Sequence, residues 1–259
     1  MGKDPFVDTL KRFEYNVVRL PRTNIHPLQV LQEQGNSFAI IGDLQDLFQQ
    51  GSALPQVSRD QQASFINGQR TDALKVSVGL SLLGGLIGAM TGTQVNLTTA
   101  FQKASKIVFH FSDVKVDNVT QTHLRNYLAA SAALEGGFVR ELEDDKLYVI
   151  ISTIKSAKYT IEALDSSGKS VDVAVPIIQQ MVGGSVGVKT EGSSQSVVTF
   201  EGTTPHVFGI QALRMEFKNR KFVTTKAAST GTAVRDVGDE EEEEKSEALL
   251  PEGPFLNLA

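Results

Sequence analysis

The amino-acid sequence predicts an α+β protein that folds in water, with β-strands in the majority and a few short helices beside them. Several segments alternate apolar and polar side chains with the period of two that strands have. Other segments place apolar side chains at helical spacing, and strands and helices do not alternate as a doubly wound sheet requires. The 259 residues are 41% hydrophobic and 21% charged, which is typical of a soluble globular protein.

The first half of the chain is predicted to begin with a helix and to continue mainly as strands. Pro5 occupies a first helical position after Asp4, and Phe6, Leu10 and Phe13 follow at helical spacing. Apolar runs and turn residues then predict strands at residues 16–21, 25–31 and 37–41, a short helix within 43–50, a loop at 51–59, a strand at 106–116 and a helix at 120–132.

Residues 76–102 carry no charged side chain, and the apolar pattern changes within them. An alternation with small or polar residues predicts a strand at the start, its apolar members being Val76, Val78, Leu80 and Leu82. The run that follows, at 83–92, is apolar and rich in glycine, and about ten residues are half the length of a membrane-spanning helix. Because a spanning strand needs only about ten residues, this segment could cross a bilayer if it became a strand.

The second half of the chain repeats the arrangement of strand, short uncharged segment and strand. Residues 147–164 predict an unusually long strand, followed by a turn at 165–168 and a strand at 169–175. Residues 173–188 again lack charge and contain a proline and three glycines, which predicts a change from strand to short helix or loop and back. The last strands are expected at 196–200 and 207–217.

Charge divides the chain into a body, residues 1–225, and a tail, residues 226–259. The tail has three basic and nine acidic residues, a net charge of −6, whereas the body has 22 basic and 21 acidic residues, a net charge of +1. The acidic block at 239–244 is expected to be solvated. The residues after it are too apolar to remain so and are expected to dock on a surface; the residues in question are Ala248, Leu249, Leu250, Phe255, Leu256 and Leu258.

A basic cluster surrounds the first helix and strand, formed by Lys11, Arg12, Arg19 and Arg22. One interpretation is an ordinary solvated surface. The other is attraction to anionic lipid headgroups, to which each basic residue near a membrane contributes about 1 kcal/mol. Both interpretations fit the sequence.

No group of residues predicts catalysis, a cofactor or a metal. Ser185 lies in a G-x-S-x-G pattern, but a strand-like segment and a turn follow it where a nucleophile elbow requires a helix, so a hairpin turn is the better interpretation. The histidines at 26, 110, 123 and 206 lack metal-ligand spacing. The absence of cysteine excludes disulfides and thioester lipidation of this polypeptide.

Charge and the N-terminal residues also bear on partners and location. A net charge of −5 and a pI of about 5.5, without a basic stripe, argue against nucleic-acid binding. The first residues lack the apolar run of a signal peptide, so a cytoplasmic protein is expected.

Two stretches, DPFVDTLKRFEYNVVRLPR at 4–22 and IVFHFSDV at 107–114, together with the chain length and the short separable tail, resemble the bacterial gasdermins. The resemblance implies a compact α+β resting state with a twisted, mostly antiparallel central sheet and peripheral helices, held inactive by the tail. It further implies that a protease removes the tail and that the freed body assembles in the inner membrane as a large transmembrane β-barrel ring. The resemblance also implies that this pore kills the phage-infected cell.

Transferred to this chain, the resemblance implies one membrane hairpin from about residues 73–116 and another from about 146–200. The side chains expected to face lipid are Val76, Val78, Leu80, Leu82, Ile107, Phe109, Phe111, Tyr159, Ile161, Val173, Val175, Val186 and Val188. Lipid headgroups are expected at Lys11, Arg12, Arg19 and Arg22.

The protease is expected to cut in a low-complexity segment that begins at Lys226 and ends at Gly238 and that is predicted to be exposed. For a trypsin-like protease, Arg235 is the expected site. The residues expected to anchor the inhibitory tail on the body are Leu249, Leu250, Phe255, Leu256 and Leu258.

The expected partners are a protease, membrane lipids and, after cleavage, other copies of a protein that is monomeric at rest. Bacterial gasdermins commonly carry a palmitoylated cysteine near the N-terminus. This sequence has none, so neither that lipid nor any other cofactor is expected. The alternative interpretation is a soluble binding or scaffold protein whose acidic tail is an interaction arm.

Overall fold

The secondary structure comes from a computed structural model that describes residues 5–35, 37–49, 51–134, 146–191, 195–218 and 221–227. Within these residues, the helices α1 to α5 are Pro5–Arg12, Leu44–Leu47, Val76–Thr91, Gln121–Ala130 and Val175–Val182. The strands β1 to β13 are Asn16–Arg22, Gln29–Gln34, Ser37–Asp43, Phe48–Gln49, Val57–Gln62, Leu74–Lys75, Lys106–His110, Lys115–Val119, Ala132–Ala133, Leu147–Leu164, Gly187–Thr190, Val197–Lys218 and Lys221–Ala227. Two short 3₁₀ helices occupy Thr98–Phe101 and Gly183–Ser185.

Eleven of these strands form one antiparallel sheet around the long pair β10 and β12. The pair runs from Tyr148 opposite Arg214 to Glu162 opposite Val197, with three register shifts that increase the local twist. The other edge of β10 binds β2, β8 and β7 in succession, and that of β12 binds β13, β1 and β11. This arrangement confirms the predicted α+β class and the mostly antiparallel central sheet.

Among the described residues, the core consists of three apolar clusters distributed along the sheet. The largest joins α1, α3 and α5 to β7 and to the neighbouring halves of β10 and β12; Leu10, Ile87, Phe109 and Ile161 are buried there. A second cluster packs α2 and α4 against the opposite ends of β10 and β12, and a third, smaller cluster involves β1, β2 and β3. The helices therefore cover the two ends of the sheet separately.

Several predicted elements are confirmed, and one prediction about the first uncharged segment is wrong. The helices near residues 5–13 and 120–132 and the strands at 16–21, 37–41 and 147–164 are present. The expected strand beginning at Val76 is instead the helix α3. Its residues Gly79, Leu83, Leu86 and Ile87 are buried at helical spacing, and burial of this stripe outweighs the alternation of the first residues.

The remaining differences concern the bounds of elements. Residues 169–175 make only a single bridge, between Ser170 and Leu164, before α5 begins, so the predicted strand there is wrong. The strand expected at 25–31 begins only at Gln29, that at 106–116 is divided into β7 and β8, and β5 begins inside the expected loop. The two last predicted strands are one strand, β12, and β13 was not predicted; it runs through Ala227, into the first two residues of the predicted tail.

An ion-pair cluster, in which Asp117 is buried and Asp60 is exposed, ties the edge strand β5 to β8 and β10. Lys155 Nζ lies 2.6 Å from Asp117 Oδ2 and 2.9 Å from Asp60 Oδ1, and the Asp60 N–H donates to Asp117 Oδ1 at 2.7 Å. Burial lowers the pKa of the Lys155 amine, but the hydrogen bonds to the two carboxylates raise it by more. Because the Asp117 side chain is only 4% exposed, removal of the Lys155 amine would leave its carboxylate buried without this ion-pair partner.

Replacement of Lys155 by methionine should therefore lower the free energy of unfolding by about 3–5 kcal/mol, because it leaves a buried carboxylate without a counter-charge. Urea denaturation measures the loss. The matched control is Lys189→Met, which removes an exposed ion pair with Glu201 and should change stability little. Equal effects of the two substitutions would contradict this role for Lys155.

Candidate functional site

Two long inserts leave and re-enter the sheet at the same end. The first insert, residues 76–105, connects β6 to β7, whose last register pair is Lys75 opposite Lys106. The second insert, residues 165–196, connects β10 to β12, whose last pair is Glu162 opposite Val197. Since Leu164 at the end of β10 also pairs with Lys106, both inserts begin on neighbouring strands at one level of the sheet.

The first insert folds mainly as α3, which lies directly on the sheet because two glycines leave room for it. A Cβ at Gly79 would lie 2.8 Å from Ile107 Cβ on β7. A Cβ at Gly202 on β12 would lie 2.7 Å from Met90 Sδ near the end of the helix. The helix ends at Gly92, whose φ of 74° is left-handed and whose N–H donates to Gly88 O at 2.8 Å.

The second insert folds as a tight turn, the helix α5 and the short strand β11. In the turn, Asp165 Oδ1 accepts hydrogen bonds from the Ser167 hydroxyl and from the backbone N–H groups of Ser167 and Lys169, which lower the pKa of the Asp165 carboxyl. α5 buries Ile178 in the largest apolar cluster, and β11 pairs with the start of β12. In the described part of the chain, no helix is both long and apolar enough to span a bilayer.

The side chains predicted to face lipid are gathered at this end of the sheet. Twelve of the thirteen belong to the largest apolar cluster or pack against it, and Val78 is the exception, with 38% of its surface exposed. Burial raises the pKa of Tyr159, whose hydroxyl donates to Ser156 O at 3.0 Å. The buried members are Ile107, Phe109, Phe111, Tyr159, Ile161, Val173, Val175 and Val186, and the partly buried residues that pack against them are Val76, Leu80, Leu82 and Val188.

The basic cluster lies on α1 and β1, which contact each other. Lys11 and Arg12 are exposed at the end of α1, and Arg12 makes a solvated ion pair with Asp72 at 3.9 Å. Arg22 is partly exposed on β1. Arg19 also belongs to β1, but its side chain lies outside what the structure describes.

Sequence reasoning missed two exposed apolar residues near the basic ones. Leu20 on β1 is 59% exposed, and Phe65, at 38%, stacks on Tyr15 with ring centroids 5.8 Å apart. Leu20 stands between Arg19 and Pro21, which could have drawn attention to it. For Phe65, and for the contact of Gly202 with Met90, the sequence contains no comparable signal.

The segment predicted to be cleaved begins inside the sheet. Its first two residues belong to β13, where Lys226 pairs with Arg214 on β12, so the segment predicted to be exposed begins as part of a paired strand. Arg235 and the far end of the segment at Gly238 lie outside the described residues. Since proteases cut backbone that is not already paired in a sheet, the candidate cut lies after β13.

The other predicted sites of the tail also fall outside the described residues. They are the anchors Leu249, Leu250, Phe255, Leu256 and Leu258. The side chain of Ser185 is not described either. Its backbone follows helix α5 and precedes strand β11, which is the reverse of the order in a nucleophile elbow.

Comparisons with known proteins identify close relatives along the whole chain. A family model described as the Bacterial Gasdermin Family matches residues 18–232. The chain is 39% identical to Gasdermin bGSDM of a Desulfuromonadales bacterium over 99% of this chain and 98% of that protein, and 36% identical to Gasdermin bGSDM of a Vitiosangium species over 98% and 97%. Its fold is similar to the structure of a bacterial gasdermin from Bradyrhizobium tropiciagri, with a TM-score of 0.61 and 18% identity over 86% of this chain and 90% of that one.

The contact between α3 and β7 can be tested by replacing Gly79 with valine. The new side chain would collide with Ile107 and should lower the free energy of unfolding by about 1–3 kcal/mol, the usual cost of overpacking. Ser81→Val, at an exposed position of the same helix, is the control and should leave the urea midpoint nearly unchanged. If both variants unfold at the wild-type midpoint, α3 does not rest on β7 as described.

Proposed function

Because the chain belongs to the bacterial gasdermin family, we propose that it is the autoinhibited precursor of a pore-forming protein. A protease cuts between the end of β13 and Gly238, at Arg235 if it is trypsin-like, and the tail dissociates. The body then oligomerises into large β-barrel pores in the inner membrane, and the resulting cell death defends against phage. Before cleavage the protein is a cytoplasmic monomer.

The register at the base of the first insert supports this proposal. Carried outward without a shift, the pairing of β6 with β7 would place Val76 opposite Ser105 and Leu80 opposite Phe101, and would reverse direction after Met90. The first bond of this extension already exists, because the Val76 N–H donates to Ser105 O at 3.0 Å. The first insert can therefore become a hairpin by continuing strands that are already paired.

The extended hairpin would have one apolar face and one face of mostly small and polar residues, as a strand between lipid and a water-filled pore requires. From residue 80 to 101, eleven residues per strand carry no charge, close to the 9–11 residues of a spanning strand. Leu83 and Ile87 are the apolar exceptions on the polar face. The apolar side chains of the first face would be Val76, Val78, Leu80, Leu82, Leu86, Met90, Val95, Leu97 and Phe101, with glycines and threonines between them and Lys103 opposite Val78 near the base of the hairpin.

The second insert supports the same conclusion. The Ala163 N–H donates to Ser196 O at 2.9 Å, one step beyond the last pair of β10 and β12. If this pairing continued through the second insert without a shift, the chain would reverse direction after Gln179. This pairing would place Val171, Val173, Val175, Ile177, Val182, Val186 and Val188 on one face.

The lipid-facing sides of the two hairpins would be continuous. Ile161 pairs with Phe109 on one side and with Val198 on the other, so the apolar faces of β7, β10 and β12 are one face of the sheet. All thirteen side chains predicted to face lipid fall on that face in the extended registers. The observed pairing of Ile161 with both Phe109 and Val198 is the single observation that carries the proposal.

Insertion is expected to require assembly and to be favoured by cleavage. In lipid, every backbone N–H and C=O must be paired, and only a closed ring pairs the outer edges of the hairpins. Cleavage after Arg235 leaves 24 basic and 21 acidic residues, so the net charge changes from −5 to +3. The basic residues Lys11, Arg12, Arg19 and Arg22 then meet anionic headgroups without opposition from the acidic tail.

The direct experiment is dye release from anionic liposomes by the full chain and by a chain ending at Arg235. The truncated chain should sediment with the vesicles as large oligomers and release the dye, whereas the full chain should do neither. Liposomes of neutral lipid are the control for the charge argument and should release less dye. A soluble scaffold protein would release none in any combination, and that result would refute the proposal.

Orientation of the first hairpin can be tested with arginine at two neighbouring positions of the truncated chain. A charge on the lipid face costs about 2–4 kcal/mol at the bilayer midplane and less toward the interface. Since every subunit carries it, Leu82→Arg should reduce dye release by roughly tenfold or more. Ser81→Arg, on the opposite face, should release dye at nearly the unmodified rate.

Urea unfolding midpoints of the two arginine variants, measured without lipid, identify any variant that fails to fold. Equal dye release by two folded variants would contradict the register.

A further inference from the structure

A groove of about 650 Å³ separates α3 from the segment that leads back to β7. Its lining includes the apolar side chains Leu80, Val95 and Phe101, and polar side chains such as Ser77 and Ser81 stand on its α3 side, where both are exposed. The groove is open to solvent on one side, so a polypeptide segment can enter it.

The two walls of this groove are the two halves of the first insert that would pair in the extended hairpin. Leu80 on one wall would lie opposite Phe101 on the other. A segment bound between these walls keeps them apart and leaves α3 in its helical form. Occupancy of the groove is therefore incompatible with formation of the first hairpin.

We propose that the occupant is the apolar end of the chain's own tail, residues 248–258. This inference rests on the proposed function and gives the tail a specific site of action. The docked segment inhibits pore formation because it separates the two strands that must pair. After cleavage the tail is no longer covalently attached to the body, so its effective concentration falls and it dissociates.

Charge complementarity supports this choice of occupant. Lys75 and Lys103 are exposed and stand next to residues that line the groove, and residues 73–112 contain no acidic side chain. In the tail, Glu247 and Glu252 lie beside the apolar residues, and the acidic block precedes them. The apolar side chains can thus enter the groove while the acidic ones face lysines at its edge.

The tail is also long enough to reach the groove. Ala227 at the end of β13 lies opposite Leu213, which is 16 residues along β12 from Val197 at the groove end of the sheet. At about 3.3 Å per residue, that distance is about 53 Å. The 22 residues from Ala227 to Leu249 span up to about 73–79 Å when extended, and self-repulsion of the acidic block favours extension.

The experiment uses paired cysteines, since the chain has no cysteine of its own. In the full chain, Ser81→Cys on α3 is combined with Leu256→Cys in the tail. The matched control combines Leu256→Cys with Ser58→Cys, an exposed serine on β5. Mild oxidation should give an intramolecular disulfide in most molecules of the first protein and in few of the control, as measured by the mobility shift on a denaturing gel.

The same oxidised proteins are then cut at Arg235, and their release of dye from liposomes is measured with and without reductant. The cross-linked Ser81 protein should stay inactive in the dye-release assay and become active on reduction, whereas the control should be active with or without reductant. Failure of the Ser81 pair to cross-link faster than the Ser58 pair would overturn the docking site, even if cut protein released dye. If the Ser81 pair cross-links selectively but the protein releases no dye after it is cut and then reduced, docking is supported and pore formation is refuted.

Discussion

The need to pair every buried backbone N–H and C=O is the constraint on which this structure depends. In water, α3 and α5 meet it within their own turns while burying apolar stripes against the sheet. In a bilayer the same segments are too short to serve as spanning helices, and strands that pair with their neighbours become the available solution. The resting fold and the proposed pore thus satisfy one requirement in two solvents.

The long pair β10 and β12 would allow the inserts to change from helices to strands without unfolding of the body. It spans the sheet and is bound on both edges by shorter strands, so its register is strongly determined. Both inserts begin at one end of this pair, and the Lys155 cluster and the second apolar cluster lie away from that end. Conversion would therefore require α3 to leave Ile107 and Gly202 and β11 to leave β12, while the rest of the sheet is retained.

Much of the fold could be predicted because the relevant signals are local. The long strand-like segment at residues 147–164 predicts β10 with its bounds, and Pro5 with the spacing of Phe6 and Leu10 predicts α1. α3 was misassigned because residues 76–91 contain both periods: Val76, Val78, Leu80 and Leu82 alternate, whereas Gly79, Leu83 and Ile87 follow a helix. The sequence cannot decide between the periods alone, since the surrounding solvent and the sheet decide which stripe is buried.

The features that sequence reasoning missed depend on contacts between distant residues. Strand β5 is polar and is held by Asp60, Asp117 and Lys155, and β12 continues through Gly202 and Pro205, which normally indicate a turn. The groove exists only because α3 folds back along residues 95–104. The candidate lipid-facing residues were predictable as alternating apolar positions. Their placement on one face of the proposed hairpins comes from extending strand registers that only the structure shows.

Hydrogen exchange of the cleaved protein bound to liposomes tests the central claim most directly. If the inserts become paired strands within a closed ring, amides throughout residues 76–105 and 165–196 will be protected far more strongly than in the uncut protein in water, including those of the loop at 92–97 that now lies outside α3. If these residues exchange as they do in the resting protein, with protection confined to α3 and α5, the inserts have kept their helices and the account is wrong.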